Sequence, residues 1–133
     1  MLLNNLYTTE TFELSGSKDK VRARIFIYKE HAIFEGHFPG NPILPGVCTV
    51  QIIRELLEKA EDRKLELIMA DQIKYLGFID PVSTPEVLFD LQITRSEHDS
   101  IFCNATVTAN GVVRCSFKGK YRYAQVIHDI RLS

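Results

Sequence analysis

Apolar and polar residues alternate with a period of two along most of the chain, and one segment instead shows a helical period. A period of two is typical of β-strands that bury one face. Strands are predicted over residues 7–14, 21–28, 65–79, 86–95, 101–109 and 112–123. The 65–79 strand is expected to bend near Gly77, and Asn110-Gly111 predicts a type I′ hairpin turn. The sequence therefore predicts a largely antiparallel sheet.

Residues 46–61 carry the helical period, because Val47, Val50, Ile53 and Leu57 recur three or four positions apart. Only a narrow strip of this segment is polar, which predicts a buried helix. The preceding segment, GHFPGNPILPG, has three prolines and three glycines and cannot be regular structure. Its Pro45 suits the first turn of the helix. We expect a single α+β domain over residues 1–133, with one long helix wrapped by a curved antiparallel sheet.

The charge distribution argues against nucleic-acid or anionic-membrane partners, because 16 basic and 17 acidic residues are mixed along the chain. The N-terminus has no signal-peptide pattern and no apolar run is long enough to span a membrane, so a cytoplasmic protein is expected. The three cysteines, Cys48, Cys103 and Cys115, show no metal-ligand spacing and are predicted to be buried free thiols. No metal or cofactor is expected.

Candidate chemistry lies in the Pro/Gly-rich loop, where His37 stands nine residues before Gly46. A histidine can move a proton near neutral pH, and a helix N-terminus offers unpaired N–H groups to a developing oxyanion. A glycine at the helix start lets a substrate carbonyl approach the backbone closely. Proton abstraction beside a thioester carbonyl requires both groups. From these residues alone, a His37 that only hydrogen-bonds within its loop is an equally good interpretation.

Residues 34–47, FEGHFPGNPILPGV, resemble the signature of the 3-hydroxyacyl-acyl-carrier-protein dehydratases of fatty-acid synthesis. The resemblance implies a hot-dog fold and a dimer whose sheets join edge to edge, with each active site built from both subunits. It implies an acyl carrier protein with a phosphopantetheine-linked acyl chain as partner. It also implies that His37 is the catalytic base and that the Gly46 N–H is the oxyanion donor.

The sequence departs from that family at Gln51, fourteen residues after His37, where the family has a glutamate or aspartate. A carboxamide forms hydrogen bonds but cannot donate a proton as an acid does. Glu55 lies one turn further along the helix, about 6 Å away, and is the candidate to supply the missing carboxyl. The alternative places Glu55 in a solvated strip with Arg54 and Glu58. The chain also begins almost at its first strand, which resembles dehydratase-like proteins of specialised acyl or polyene pathways.

Three functions remain open at this point. The protein is predicted to be a dehydratase of 3-hydroxyacyl thioesters, with His37, Gly46, Gln51 and Glu55 as its site residues. A thioesterase on the same fold would use Gln51 to orient a water molecule, and a non-catalytic subunit would only bind acyl groups. We expect a homodimer or higher homo-oligomer in which Gln51 points into the cavity that holds His37 of the partner subunit.

Overall fold

A computed structural model describes residues 5–36, 40–96 and 98–125 of the chain. Within them the chain forms one long helix, a short 3-10 turn (Ala32–Phe34) and a six-stranded sheet. The elements are β1 (Tyr7–Leu14), β2 (Lys20–Ile27), α1 (Gly46–Glu61), β3 (Leu65–Tyr75), β4 (Glu86–Arg95), β5 (Ser100–Ala109) and β6 (Val112–Tyr123). All neighbouring strands are antiparallel, in the order β1-β2-β4-β5-β6-β3. The predicted α+β architecture, with one helix against an antiparallel sheet, is confirmed.

Strand alternation was a sound guide because the sheet buries one face against α1. Four residues at alternate positions on each of β2, β4 and β5 are buried, as a period of two predicts: Val21, Ala23, Ile25, Ile27; Val87, Phe89, Leu91, Ile93; and Ile101, Cys103, Ala105, Val107. Asn110 and Gly111 both have positive φ, 53° and 73°, as a type I′ turn requires. Strand β3 ends at Tyr75 rather than at residue 79, because the N–H groups of Leu76 and Gly77 both turn to the Arg114 carbonyl.

The helix is buried on one side only. Its buried side chains are Cys48, Thr49, Ile52, Ile53, Leu56 and Leu57. On the opposite side Val47 is 61% exposed. The helical pattern of apolar residues predicted that Val47 would be buried, but a single chain leaves it exposed. The helix ends at Asp62, whose φ of 55° and N–H bond to the Glu58 carbonyl form a left-handed cap. No helix within the described ranges is long and apolar enough to cross a membrane.

The sheet has two edges, and β3 is the apolar one. Large side chains on both of its faces are exposed by 38–55%: Leu67, Ile68, Met69, Ile73 and Tyr75. Its pairing with β6 slips twice, between Leu67 and Met69 and between Ala70 and Gln72, so that β3 carries two bulges. We call Leu65–Tyr75 the apolar edge. Natural sheets rarely leave such an edge open, because its unpaired backbone groups and apolar side chains attract another chain.

Candidate active site

Gly46 begins α1, so the backbone N–H groups of the helix's first turn surround it. Pro45 is the N-cap residue, one position earlier than predicted, and no side chain in the described ranges caps the helix. The N–H groups of Cys48 and Thr49 both reach the Pro45 carbonyl, at 2.9 and 3.4 Å. Helix geometry leaves the N–H groups before them without an intrahelical partner. The Gly46 N–H therefore has no intrahelical acceptor.

A pocket of about 480 Å³ opens beside this helix end. Most of its wall is apolar and comes from residues 43–45 and 76–79, while Thr49 and Arg114 add polar atoms. The Arg114 guanidinium is fixed by two 3.2 Å bonds to the Ala109 carbonyl. Small-molecule pockets commonly measure roughly 300–1,000 Å³ and combine apolar walls with a few polar groups. The size and lining of this pocket suit an acyl chain.

Tyr75, at the end of β3, lies directly over Gly46. A Cβ atom on Gly46 would meet the Tyr75 ring at 2.5 Å from Cζ and 2.7 Å from Cε1 and Oη. Any larger residue at position 46 would therefore displace the ring. Burial raises the pKa of the Tyr75 hydroxyl, and the nearby Cys115 thiol adds to the effect. Tyr75 thus remains a neutral phenol in the lining of the pocket.

Gln51 and Glu55 meet on the other flank of the helix, together with a residue from β1. The Tyr7 hydroxyl donates a 2.6 Å hydrogen bond to Glu55 Oε1, and Gln51 Nε2 donates a 3.1 Å bond to Glu55 Oε2. Burial, and then the bond and charge of Glu55, raise the pKa of Tyr7 far above its usual value. Glu55 is half-buried, while Arg54 pairs with Glu58 at 3.6 Å. Arg54, Glu55 and Glu58 are all partly exposed, so the alternative that placed Glu55 in a solvated strip with them stays open.

The predicted site residues that the structure describes fall on two flanks of the helix. His37 lies outside the described residues. Gly46 and Gln51 are five positions apart, which separates them by about 140° around the helix. Gly46 faces Tyr75 on β3, whereas Glu55 faces Tyr7 on β1, at opposite edges of the sheet. Gly46 and Glu55 therefore lie on different flanks of α1.

Tyr7 and Tyr75 are the residues that sequence reasoning missed. The Tyr7–Glu55 contact joins positions 48 residues apart, and neither tyrosine belongs to a recognisable motif. His31 has a structural role: it accepts a hydrogen bond from the Ile33 N–H at 3.0 Å and caps the short 3-10 turn. All three cysteines are buried free thiols, and burial raises the pKa of Cys103 to about 12. Within the described ranges no cluster of histidine, cysteine, aspartate and glutamate could hold a metal.

Solved structures similar to this one establish the class of fold. The ApeI:P dehydratase heterocomplex from Xenorhabdus doucetiae aligns with a TM-score of 0.74 and 15% identity, over 86% of this chain and 96% of that chain. A mutant thioesterase from Pseudomonas aeruginosa aligns with a TM-score of 0.61 and 12% identity, over 90% and 82% of the two chains. These similarities identify the hot-dog fold, which hosts more than one activity.

The family is established by sequence. Residues 13–116 match the ApeI-like family of ApeI dehydratases, and the chain belongs to that family. Among its curated relatives, the 3-hydroxyacyl-[acyl-carrier-protein] dehydratase FabZ of Novosphingobium aromaticivorans is 32% identical over 93 residues, which are 64% of this chain and 57% of the relative. That of Levilactobacillus brevis is 32% identical over 81 residues, 56% of this chain and 55% of the relative. The chain thus spans just over half the length of these two relatives.

Proposed function

We propose that this protein dehydrates 3-hydroxyacyl thioesters carried by an acyl carrier protein, in fatty-acid or related acyl or polyene synthesis in the cytoplasm. The observation that carries the proposal is the helix N-terminus at Gly46, which opens onto an apolar pocket of acyl-chain size and is the last residue of the GHFPGNPILPG segment. Membership of a dehydratase family supports it, as does the activity in the names of the FabZ relatives.

The reaction needs a base, an oxyanion donor and an acid. In the proposed mechanism His37 removes a proton from C2 of the acyl chain, and the Gly46 N–H stabilises the enolate oxygen. The electron pair then forms the C2–C3 double bond as the C3–O bond breaks. The departing hydroxyl takes a proton from Glu55, directly or through a water held by Gln51, so the products are a 2-enoyl thioester and water.

We further propose that the active unit is a homodimer joined through the apolar edge. An antiparallel pairing of two β3 strands centred on Ala70 would place Glu66 opposite Lys74 of the partner subunit, and Leu67 opposite Ile73 of the partner subunit. Glu66 and Lys74 lie on one face of β3, opposite Arg122 and Ser116 of β6, so the pairing matches both charge and apolarity. It would bring the Gly46 ends of the two helices, each of which faces β3, towards the shared edge.

The test uses the purified protein with a 3-hydroxybutyryl and a crotonyl thioester of acyl carrier protein. Absorbance of the enoyl thioester follows dehydration and hydration, and a thiol reagent follows hydrolysis. We expect interconversion of the two thioesters, which His37→Ala abolishes and His98→Ala, a change in the exposed β4–β5 turn, leaves unchanged. Release of free thiol without interconversion would identify a thioesterase instead, and binding without either reaction would identify an acyl-binding subunit.

A further inference from the structure

We infer that Tyr7 is a positioning residue for this reaction: its hydroxyl holds the Glu55 carboxyl against Gln51, so that Glu55 and Gln51 together occupy the role of a single acidic residue. The inference rests on the proposed function. Its basis is the continuous chain of hydrogen bonds from Tyr7 Oη to Glu55 Oε1, and from Glu55 Oε2 to Gln51 Nε2, at 2.6 and 3.1 Å. Tyr7 stands at the start of β1, on a different element from the other two.

Glu55 differs from the other carboxylates of α1 in what holds it. Glu58 contacts Arg54 at 3.6 Å and Lys64 at 4.0 Å, and Glu61 contacts Arg95 at 2.5 Å. Within the described ranges Glu55 forms no ion pair and is held by two neutral donors. A carboxyl that gains and loses a proton in each cycle does not have to break an ion pair here. Glu55 is therefore the helix carboxyl best suited to exchange protons.

The bonds also fix the orientation of the Gln51 amide. An ionised carboxylate only accepts hydrogen bonds, so Gln51 must turn its NH₂ group towards Glu55. Its carbonyl oxygen then faces away from Glu55 and can accept a bond from a water or a substrate hydroxyl. Gln51 thereby presents a hydrogen-bond acceptor where a family member would present a carboxyl oxygen. The exchangeable proton is carried by Glu55, one turn further along the helix.

Tyrosine suits this position because its hydroxyl serves both protonation states of Glu55. It donates to the carboxylate, and it can accept from the protonated acid through its lone pairs. The raised pKa of Tyr7 keeps the phenol protonated throughout the working range. Phenylalanine would preserve the packing of the ring and remove only this bond, which makes Tyr7→Phe the informative change.

The experiment measures kcat and KM for dehydration in Tyr7→Phe, Glu55→Gln and the double variant. The matched control is Tyr123→Phe, which removes a 2.5 Å tyrosine–glutamate bond to Glu61 on the same helix but lies outside the proposed chain. We expect Tyr7→Phe to lower kcat roughly ten- to a hundredfold with little change in KM, as for a lost hydrogen bond to a charged group. In the Glu55→Gln background the same change should have no further effect, because the two residues act as one unit.

Each outcome decides the matter. The positioning role is overturned if the wild type and Tyr7→Phe have equal kcat values. It is also overturned if Tyr7→Phe lowers kcat by the same factor in the Glu55→Gln background. In both cases the dehydratase proposal stands. The positioning role would also be overturned if Tyr123→Phe and Tyr7→Phe lowered kcat and thermal stability by equal amounts. Both losses of kcat would then be structural. No turnover in the wild type overturns the proposed function and this inference together.

Discussion

Gln51→Glu is the change that most directly probes the candidate site. It replaces the Nε2 donor, 3.1 Å from Glu55 Oε2, with a second carboxylate oxygen. Two unit charges at that separation repel by about 5 kcal/mol at an effective dielectric constant of about 20, and by less where solvent screens them. The two carboxyl groups should therefore share one proton near neutral pH, as closely spaced carboxylates do.

The shared proton makes the variant a better acid at the position where the family has one. A positioned general acid contributes roughly 10²–10⁴-fold to rate. We expect Gln51→Glu to raise kcat for dehydration by about one to three decades, with most of the gain lost at alkaline pH as the pair loses its proton. Stability should fall at alkaline pH for the same reason, because two unshared charges then face each other.

The assay is the pH dependence of kcat for dehydration, with thermal unfolding of the same samples as the measure of folding. Gln51→Met is the control, since it keeps the length of the side chain without an acid. Glu55→Gln should lower the natural activity. A folded Gln51→Glu variant with no gain at any pH, beside an active wild type, would show that residue 51 does not face the leaving hydroxyl.

Three further predictions concern other parts of the chain. Gly46→Ala should abolish turnover, because a methyl group would block the close approach of a substrate carbonyl to the backbone. It should lower the free energy of unfolding by less than about 1 kcal/mol, because the added Cβ would displace only the exposed Tyr75 ring. A charge in the apolar edge, Ile73→Lys, should produce 15.2 kDa monomers in sedimentation and lose activity with them. Burial alone would raise the pKa of Glu61, but bonds from Arg95 and Tyr123 hold it below its usual value. Its stabilisation is therefore present above the unfolded pKa and lost as pH falls through the folded one, so Glu61→Gln should cost about 1–3 kcal/mol in chemical denaturation at about pH 7 and progressively less as the pH falls through the folded pKa.

The fold could be predicted to within a residue or two at most boundaries, for a physical reason. Strands β2, β4 and β5 bury one face each, so burial imposes a period of two on their residues. Strand β3 lies partly outside this rule, since its two bulges interrupt the alternation and its side chains remain exposed. Its end at Tyr75 depends on bonds from Leu76 and Gly77 to the Arg114 carbonyl, which no local pattern indicates.

The candidate site was predictable only where residues lie close in sequence. The spacing of Gly46, Gln51 and Glu55 on one helix follows from the chain itself. The contact that gives Glu55 its environment comes from Tyr7, 48 residues earlier, and is set by how β1 packs across the helix. The Tyr75 ring over Gly46 likewise depends on where β3 ends. Contacts between distant elements carry no periodic signal.

The two bulges of β3 bear on how large an assembly this chain can form. An unbroken apolar strand at a sheet edge would accept copy after copy and grow into a fibril. Here the extra residues at Ile68 and Asp71 make the free backbone groups unevenly spaced, and Asp71 adds a charge. The irregular spacing therefore disfavours the open-ended addition of further strands at this edge.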